Sequence, residues 1–244
     1  MGRQEDARRL RDLGPRLMMS SGRKSGSIFR HRLVSALLLT SIAFPCLSWL
    51  SCAPRVRGTQ HPSLFQRGDP VKSVAIVPFS RPLNRAGDPQ LDEGAALVER
   101  FLAEAFAAHG VKIIPAADVA TAARASGLDP TKPASPREFA QLCAAEFGVA
   151  SILTGEMRRY RKRIGEALGA RQPASVAFDV ALHSAPRGGR MWSAVFDETQ
   201  KSMTENILRA RHYPGGGTRW LSGPEFAKWA ASEIVTEAPV SAGP

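Results

Sequence analysis

From residue 71 onward, apolar positions recur at two spacings. A short, wholly apolar run, Val74-Ala75-Ile76-Val77, sits inside Val71 to Phe79. It predicts a strand covered on both faces, with Pro78 limiting further ladder pairing. Leu91, Ala95, Val98, Leu102, Ala105 and Phe106 then repeat at helical spacing, with Glu93, Arg100 and Glu104 off the stripe. That pattern predicts a helix over Leu91 to His109, punctuated by Pro89 before it and Gly110 after it. Val111 to Pro115 reads as a short second strand, and Ala117 to Ala125 as a brief helix stopping at Gly127. Ser135-Pro136-Arg137-Glu138 has the form of a capping box and opens a helix through Phe147, closed by Gly148. A third strand begins at Val149 and runs on through Met157 to Tyr160.

Two alternating segments follow. Val176, Phe178, Val180 and Leu182 face one way in Ala174 to His183, with Ser175, Asp179 and His183 opposite. Trp192, Ala194 and Phe196 alternate in Arg190 to Thr199, after a turn at Pro186 to Gly189. Met203 to Arg209 predicts a short helix and Pro214 to Gly217 a turn. Ser222-Gly223-Pro224-Glu225 is a second capping box, opening a last helix to about Val235. The fold class these elements define is α+β (mixed α/β): one mixed sheet with an antiparallel meander and helices packed on it. The first strand–helix–strand unit is expected to be a right-handed crossover.

The first 51 residues belong to a different pattern. Arg30-His31-Arg32 leads into an apolar run from Leu33 to Phe44, broken at Pro45 and ending Trp49-Leu50-Ser51-Cys52. A positive flank, a short apolar run and a small residue before a cut site are the parts of a secretory signal. A run of about a dozen residues is short for a bilayer span, which needs ~20. Cys52 after Ser51 resembles the lipidation site of a bacterial lipoprotein, although Trp49 and Leu50 depart from the usual residues at those positions. An uncleaved N-terminal anchor is the rival reading, and Met18 and Met19 are alternative starts. The resulting division is a signal peptide over 1–51, a flexible tether over 52–70, broken by Pro54, Gly58, Pro62, Gly68 and Pro70, a single periplasmic domain over 71–235, and a disordered tail over 236–244.

Composition changes this picture little. The net charge of +11 is concentrated in the leader, where nine Lys/Arg face three Asp/Glu, leaving 24 against 19 in the remainder. That balance argues against a nucleic-acid footprint. If the leader is removed, Cys46 goes with it and Cys52 carries lipid. Cys143 is then left as a small buried hydrophobe, with no partner for an intramolecular disulfide. The histidines at 31, 61, 109, 183 and 212 show no metal-ligand spacing, and no cofactor is expected. Gly215-Gly216-Gly217 follows no strand and lacks the Lys-Ser/Thr ending of a phosphate loop.

With these elements placed, "VAIVPF", "ASILTGEMRRYRKRIG", "PASVAFDVALHSAPRGGRMWSAVFDETQ" and "MTENIL" make residues 71 to 235 similar to a group of uncharacterised deltaproteobacterial envelope lipoproteins. More distantly the chain resembles the curli-secretion lipoprotein, the penicillin-binding-protein activator lipoprotein and the TolB N-terminal domain. The resemblance implies non-enzymatic work: a lipid-anchored binding or assembly factor of the cell envelope, on the periplasmic face of the outer membrane, with an envelope protein partner. The alternatives are a subunit of a transport or secretion complex, and a periplasmic enzyme built from dispersed residues such as Asp179, His183 and Glu198. One interaction patch is suggested by charge alone, the run Arg158, Arg159, Tyr160, Arg161, Lys162, Arg163. It suits anionic lipid headgroups or an acidic partner, and equally a charged guard on a strand edge. Asp197 and Glu198, adjacent on a strand, point to opposite faces and are not expected to converge.

Overall fold

The computed structural model describes residues 56–60 as backbone, and residues 71–130, 135–185, 187–202 and 212–240. The chain divides into two units, 1–51 and 52–244, and all described residues lie in the second. The strands are β1 (Val56–Gln60), β2 (Ser73–Ile76), β3 (Lys112–Ile114), β4 (Ser151–Arg161), β5 (Ile164–Gly165), β6 (Ala170–Gln172), β7 (Ser175–Ser184) and β8 (Arg190–Thr199). The helices are α1 (Pro89–Ala108), α2 (Ala116–Ala125), α3 (Pro136–Phe147) and α4 (Gly223–Glu237). The main sheet has the order β1-β8-β7-β4-β2-β3. β2 is parallel to β3 and β4, while β4, β7, β8 and β1 are antiparallel in turn. The fold is α+β, with a mixed sheet, an antiparallel meander and helices on it.

Two apolar layers hold the sheet. α1 and α4 pack on one face, where Val74, Ile76, Leu153, Met157, Phe178 and Phe196 meet Leu91, Val98, Phe226 and Trp229. α2 and α3 pack on the other, where Ala75, Val77 and Ile152 meet Val119, Phe139 and Cys143. β2 is therefore buried on both sides, as its unbroken apolar run requires. Past Ile76 the strand continues without forming a full ladder. Val77 N–H donates to Leu153 O and Ser80 N–H to Gly155 O, on either side of Pro78. Between them, Phe79 N–H donates to the Glu99 carboxylate of α1 at 2.7 Å. Burial of Glu99 pushes its carboxyl above the usual range. Cys143 is fully buried and its thiol is pushed up to about 11 by burial, consistent with a packing role.

Three expectations need correction. Within the span read as tether, 52–70, residues 56–60 form β1, paired antiparallel with β8 from Val56↔Phe196 to Gln60↔Trp192. The stretch VRGTQ lacks apolar alternation and contains Gly58, so the strand is defined by a neighbouring backbone and not by its own pattern. The domain does not stop at 235, and the tail 236–244 is not wholly outside it. α4 runs to Glu237, Ala238 is buried, and Val71 N–H donates to Pro239 O at 3.1 Å. Finally, Ser135 stands at the N-cap of α3 without a side-chain hydrogen bond, whereas Ser222 and Glu225 close the full capping box of α4. The helix expected over Met203 to Arg209 lies outside the described residues.

Candidate functional site

α1 and α4 cover their face of the sheet across β4, β7 and β8. α2 and α3 reach only β2, the beginning of β4 and the end of β7. No described element covers the rest of that second face. It presents Thr154, Glu156, Asp179, Ala181, Ser193 and Val195, which line a groove of about 400 Å³ against the Val77–Ser80 segment. Val195 is 37% exposed there, an apolar side chain on an otherwise polar surface.

A β-bulge shapes this face. Met157 opposes Phe178 and Arg159 opposes Ala177, so Arg158 is the extra residue. The insertion keeps Met157 and Tyr160 in the core and turns two successive arginines to the open side. Arg158 pairs with Asp179 and lies 3.7 Å from Glu156. Arg159 pairs with Asp197, and its Nε donates to Ser175 Oγ at 2.6 Å. Ser175 in turn meets Thr199 Oγ1 at 2.7 Å. The result is a ladder of alternating charge laid across β4, β7 and β8. Asp179 is its strained member. Burial raises its carboxyl above the ordinary value, the Arg158 guanidinium opposes the rise, and Glu156 and Asp197 add to it. Its Oδ1 is buried and has no hydrogen-bond partner among the described residues.

The residues of the dispersed-enzyme alternative are not brought together. Asp179 and His183 point to the same side of β7, but His183 is buried opposite Ile152 in the covered part and lies four residues away, about 13 Å. His183 Nδ1–H donates to Gly188 O at 3.2 Å, so Nε2 accepts from the Thr154 hydroxyl at 3.1 Å. Burial lowers its pKa, and both nitrogens are used, Nδ1 on the β7–β8 turn and Nε2 on β4. Glu198 is on the opposite face, 7% exposed, and accepts from Tyr213 Oη at 2.9 Å. Asp197 is solvent-exposed at the neighbouring position, so the adjacent carboxylates diverge. Among the described residues no group of three or more His, Cys, Asp or Glu is placed to hold a metal.

The basic run is split by position. Tyr160 points into the core, and its phenol is pushed up to about 12 by burial. Lys162 pairs with Glu93 of α1 at 2.7 Å. Arg163 donates to Trp220 O at 2.5 Å and to Gly165 O at 3.0 Å. Arg161 is exposed. Gln200 and Tyr213 fix the segment before α4. Gln200 donates to Arg219 O at 2.9 Å and accepts from Leu221 N–H at 2.7 Å. Cys52 lies outside the described residues. No described helix is long and apolar enough to cross a membrane.

The fold and open face define the class, an α+β domain whose sheet is fully covered on one side and half covered on the other. No protein-family model and no curated protein matches the chain. Among solved structures the chain is similar to the PelC dodecamer from Paraburkholderia phytofirmans, at 18% identity and a TM-score of 0.42, over 77% of this chain and 98% of that one. It is similar to LpoB of E. coli at 18% identity and a TM-score of 0.38, over 54% and 60% of the two chains. Lipoprotein GNA1162 from Neisseria meningitidis is 18% identical, with a TM-score of 0.32, over 57% and 92%. Likenesses of this size carry no functional weight.

Proposed function

We propose that the protein is a non-enzymatic binding or assembly factor of the cell envelope, anchored by lipid at Cys52, that receives a protein partner on the open face of its sheet. The observation that carries this reading is Asp179. A carboxylate oxygen, buried in an open groove without a donor, is costly in the isolated domain and is relieved by an N–H or O–H brought by a partner. The charge ladder around it gives such a contact a fixed register, and Val195 adds an apolar anchor beside it. Ala53, rather than aspartate, after Cys52 is compatible with the outer membrane as the location.

Site-specific photo-crosslinking in the native host tests the partner site. A crosslinker at Val195 should give an adduct of one discrete mass, absent with the crosslinker at Glu104 on the exposed side of α1, and lost on adding Asp179→Asn. Adducts that are equal at the two positions, or that persist in Asp179→Asn, would rule out the groove. Intact mass beside Cys52→Ala tests the anchor separately.

A further inference from the structure

The register of β1 determines which end of the domain lies beside residue 52. β1 runs antiparallel to β8 with Val56 opposite Phe196, so the chain enters the sheet at the end where β8 finishes and β7 starts. β4 also finishes there, Arg161 opposing Ser175. Only residues 53–55 separate Cys52 from β1. Four residue steps span at most about 14 Å. Val56 opposes Phe196, three residues (about 10 Å) from the Thr199 end of β8 and six (about 20 Å) from its Arg190 end. Whatever holds Cys52 therefore holds this end of the sheet and not the other.

The same end carries the β5–β6 hairpin, which projects beyond the sheet between β4 and β7. Its Leu168 is 88% exposed and its Ile164 is 49% exposed, two of the four exposed large apolar side chains among the described residues. Arg161, Arg163 and Arg171 flank them within 161–172, with Lys162 beside them held in its pair with Glu93, against the single acid Glu166 of that stretch. The hairpin is fastened to the body. Trp220 N–H donates to Ala167 O at 2.8 Å, and Arg163 reaches back to Trp220 O. A fixed apolar tip ringed by cations has the composition of a surface that rests in an anionic headgroup layer.

We propose that the β5–β6 hairpin is a membrane-resting tip, set against an anionic bilayer by the short link between Cys52 and β1. The proposal rests on the envelope-anchor reading of residues 1–52, and it names the surface that the anchor turns to the lipid. Docking there leaves the groove on the sheet face directed sideways, free for a partner.

The test uses the full chain with Cys46→Ser, expressed in a bacterial host and reconstituted in vesicles of phosphatidylethanolamine and phosphatidylglycerol. A polarity-sensitive thiol probe is placed at Leu168→Cys or, at the far end of the sheet, Glu146→Cys. Buried Cys143 is not labelled. Where intact mass shows Cys52 unmodified, Cys52→Ser removes its thiol from labelling. The expected result is a blue-shifted probe at 168, quenched by a lipid-borne quencher, beside a solvent-like probe at 146. Charge reversal at Arg161 and Arg171 should weaken that shielding. Equal solvent exposure of the two probes in vesicles would overturn the tip, whatever the mass says of Cys52. Shielding at 168 without vesicles would mean that chains meet each other there, and would also overturn it. The mass alone reports failure of the anchor.

Discussion

At the scale of single residues, the capping rule held at the start of α4 and not at the start of α3. Ser222 and Glu225 form the capping box that their spacing announces. Ser222 Oγ accepts from Glu225 N–H, and the Glu225 carboxylate accepts from Ser222 N–H at 2.8 Å. The Arg219 guanidinium at 2.7 Å, with the Ser222 backbone, holds the Glu225 carboxyl down to about 2. A depressed acid contributes stability above its unfolded value, near 4.5, and loses it as pH falls toward 2. The pair is exposed, so the gain is discounted for solvent screening. Glu225→Gln should therefore flatten the acid limb of a Tm-against-pH profile below about pH 4.5 and lower Tm slightly at neutral pH. Ser222→Ala should cost about 1 kcal/mol in urea denaturation at neutral pH. An unchanged acid limb in Glu225→Gln would show that the box does not couple to folding. Asp179 escaped pattern reading as a strained group for a simple reason. Alternation places it on the polar side of β7, but its ion-pair partner is Arg158, and the bulge that delivers Arg158 has no mark in the one-dimensional pattern.

At the scale of elements, period and punctuation were enough for α1, α2, β7 and β8. β8 matches its expected span from Arg190 to Thr199, and Gly148 ends α3 in the left-handed conformation, with φ of 62°. The misses lie in elements defined by contact with others. β1 has no apolar alternation of its own. The β5–β6 hairpin has only five strand residues, too few to register against the surrounding charge. Close approach is equally silent in sequence. Gly94 stands mid-helix in α1, where propensity favours alanine by about 1 kcal/mol. Yet a Cβ there would lie 2.5 Å from Tyr160 Cβ and 2.9 Å from Met157 Cε. Gly94 is the gap through which α1 sits down on β4. Gly94→Ala should thus destabilise the domain, by about 1–3 kcal/mol for an overpacked core, against the sign that propensity alone predicts. Chemical denaturation gives the sign directly. A stabilised Gly94→Ala would mean that α1 lifts away from β4 at no cost.

For the whole molecule, the sequence made legible a covered sheet with helices on it, and the expectation that Cys143 belongs to the core. It did not make legible which part of the sheet stays uncovered. That depends on how far α2 and α3 reach across β4, a tertiary quantity. Nor did it show that the meander is capped by a strand from before residue 71. Without β1, β8 becomes an edge strand, with Trp192 to Phe196 offering an unpaired backbone to other chains. Deleting 56–60 should therefore shift sedimentation toward dimers and larger species at concentrations where the parent chain is monodisperse. A deletion variant that sediments like the parent would mean that the β8 edge is protected in some other way.

β1 also has a mechanical consequence. A pull arriving through residue 52 acts along the axis of a strand whose five residues are all paired with β8. Such a load is shear: every ladder bond resists at once, and none can be peeled open ahead of the next. Five residues of plain sequence, beside the proposed attachment point, would make this junction hard to tear. Under the proposed anchoring at Cys52 and the proposed partner on the open face, a tug at the middle of the sheet would then reach the anchor before the fold is lost.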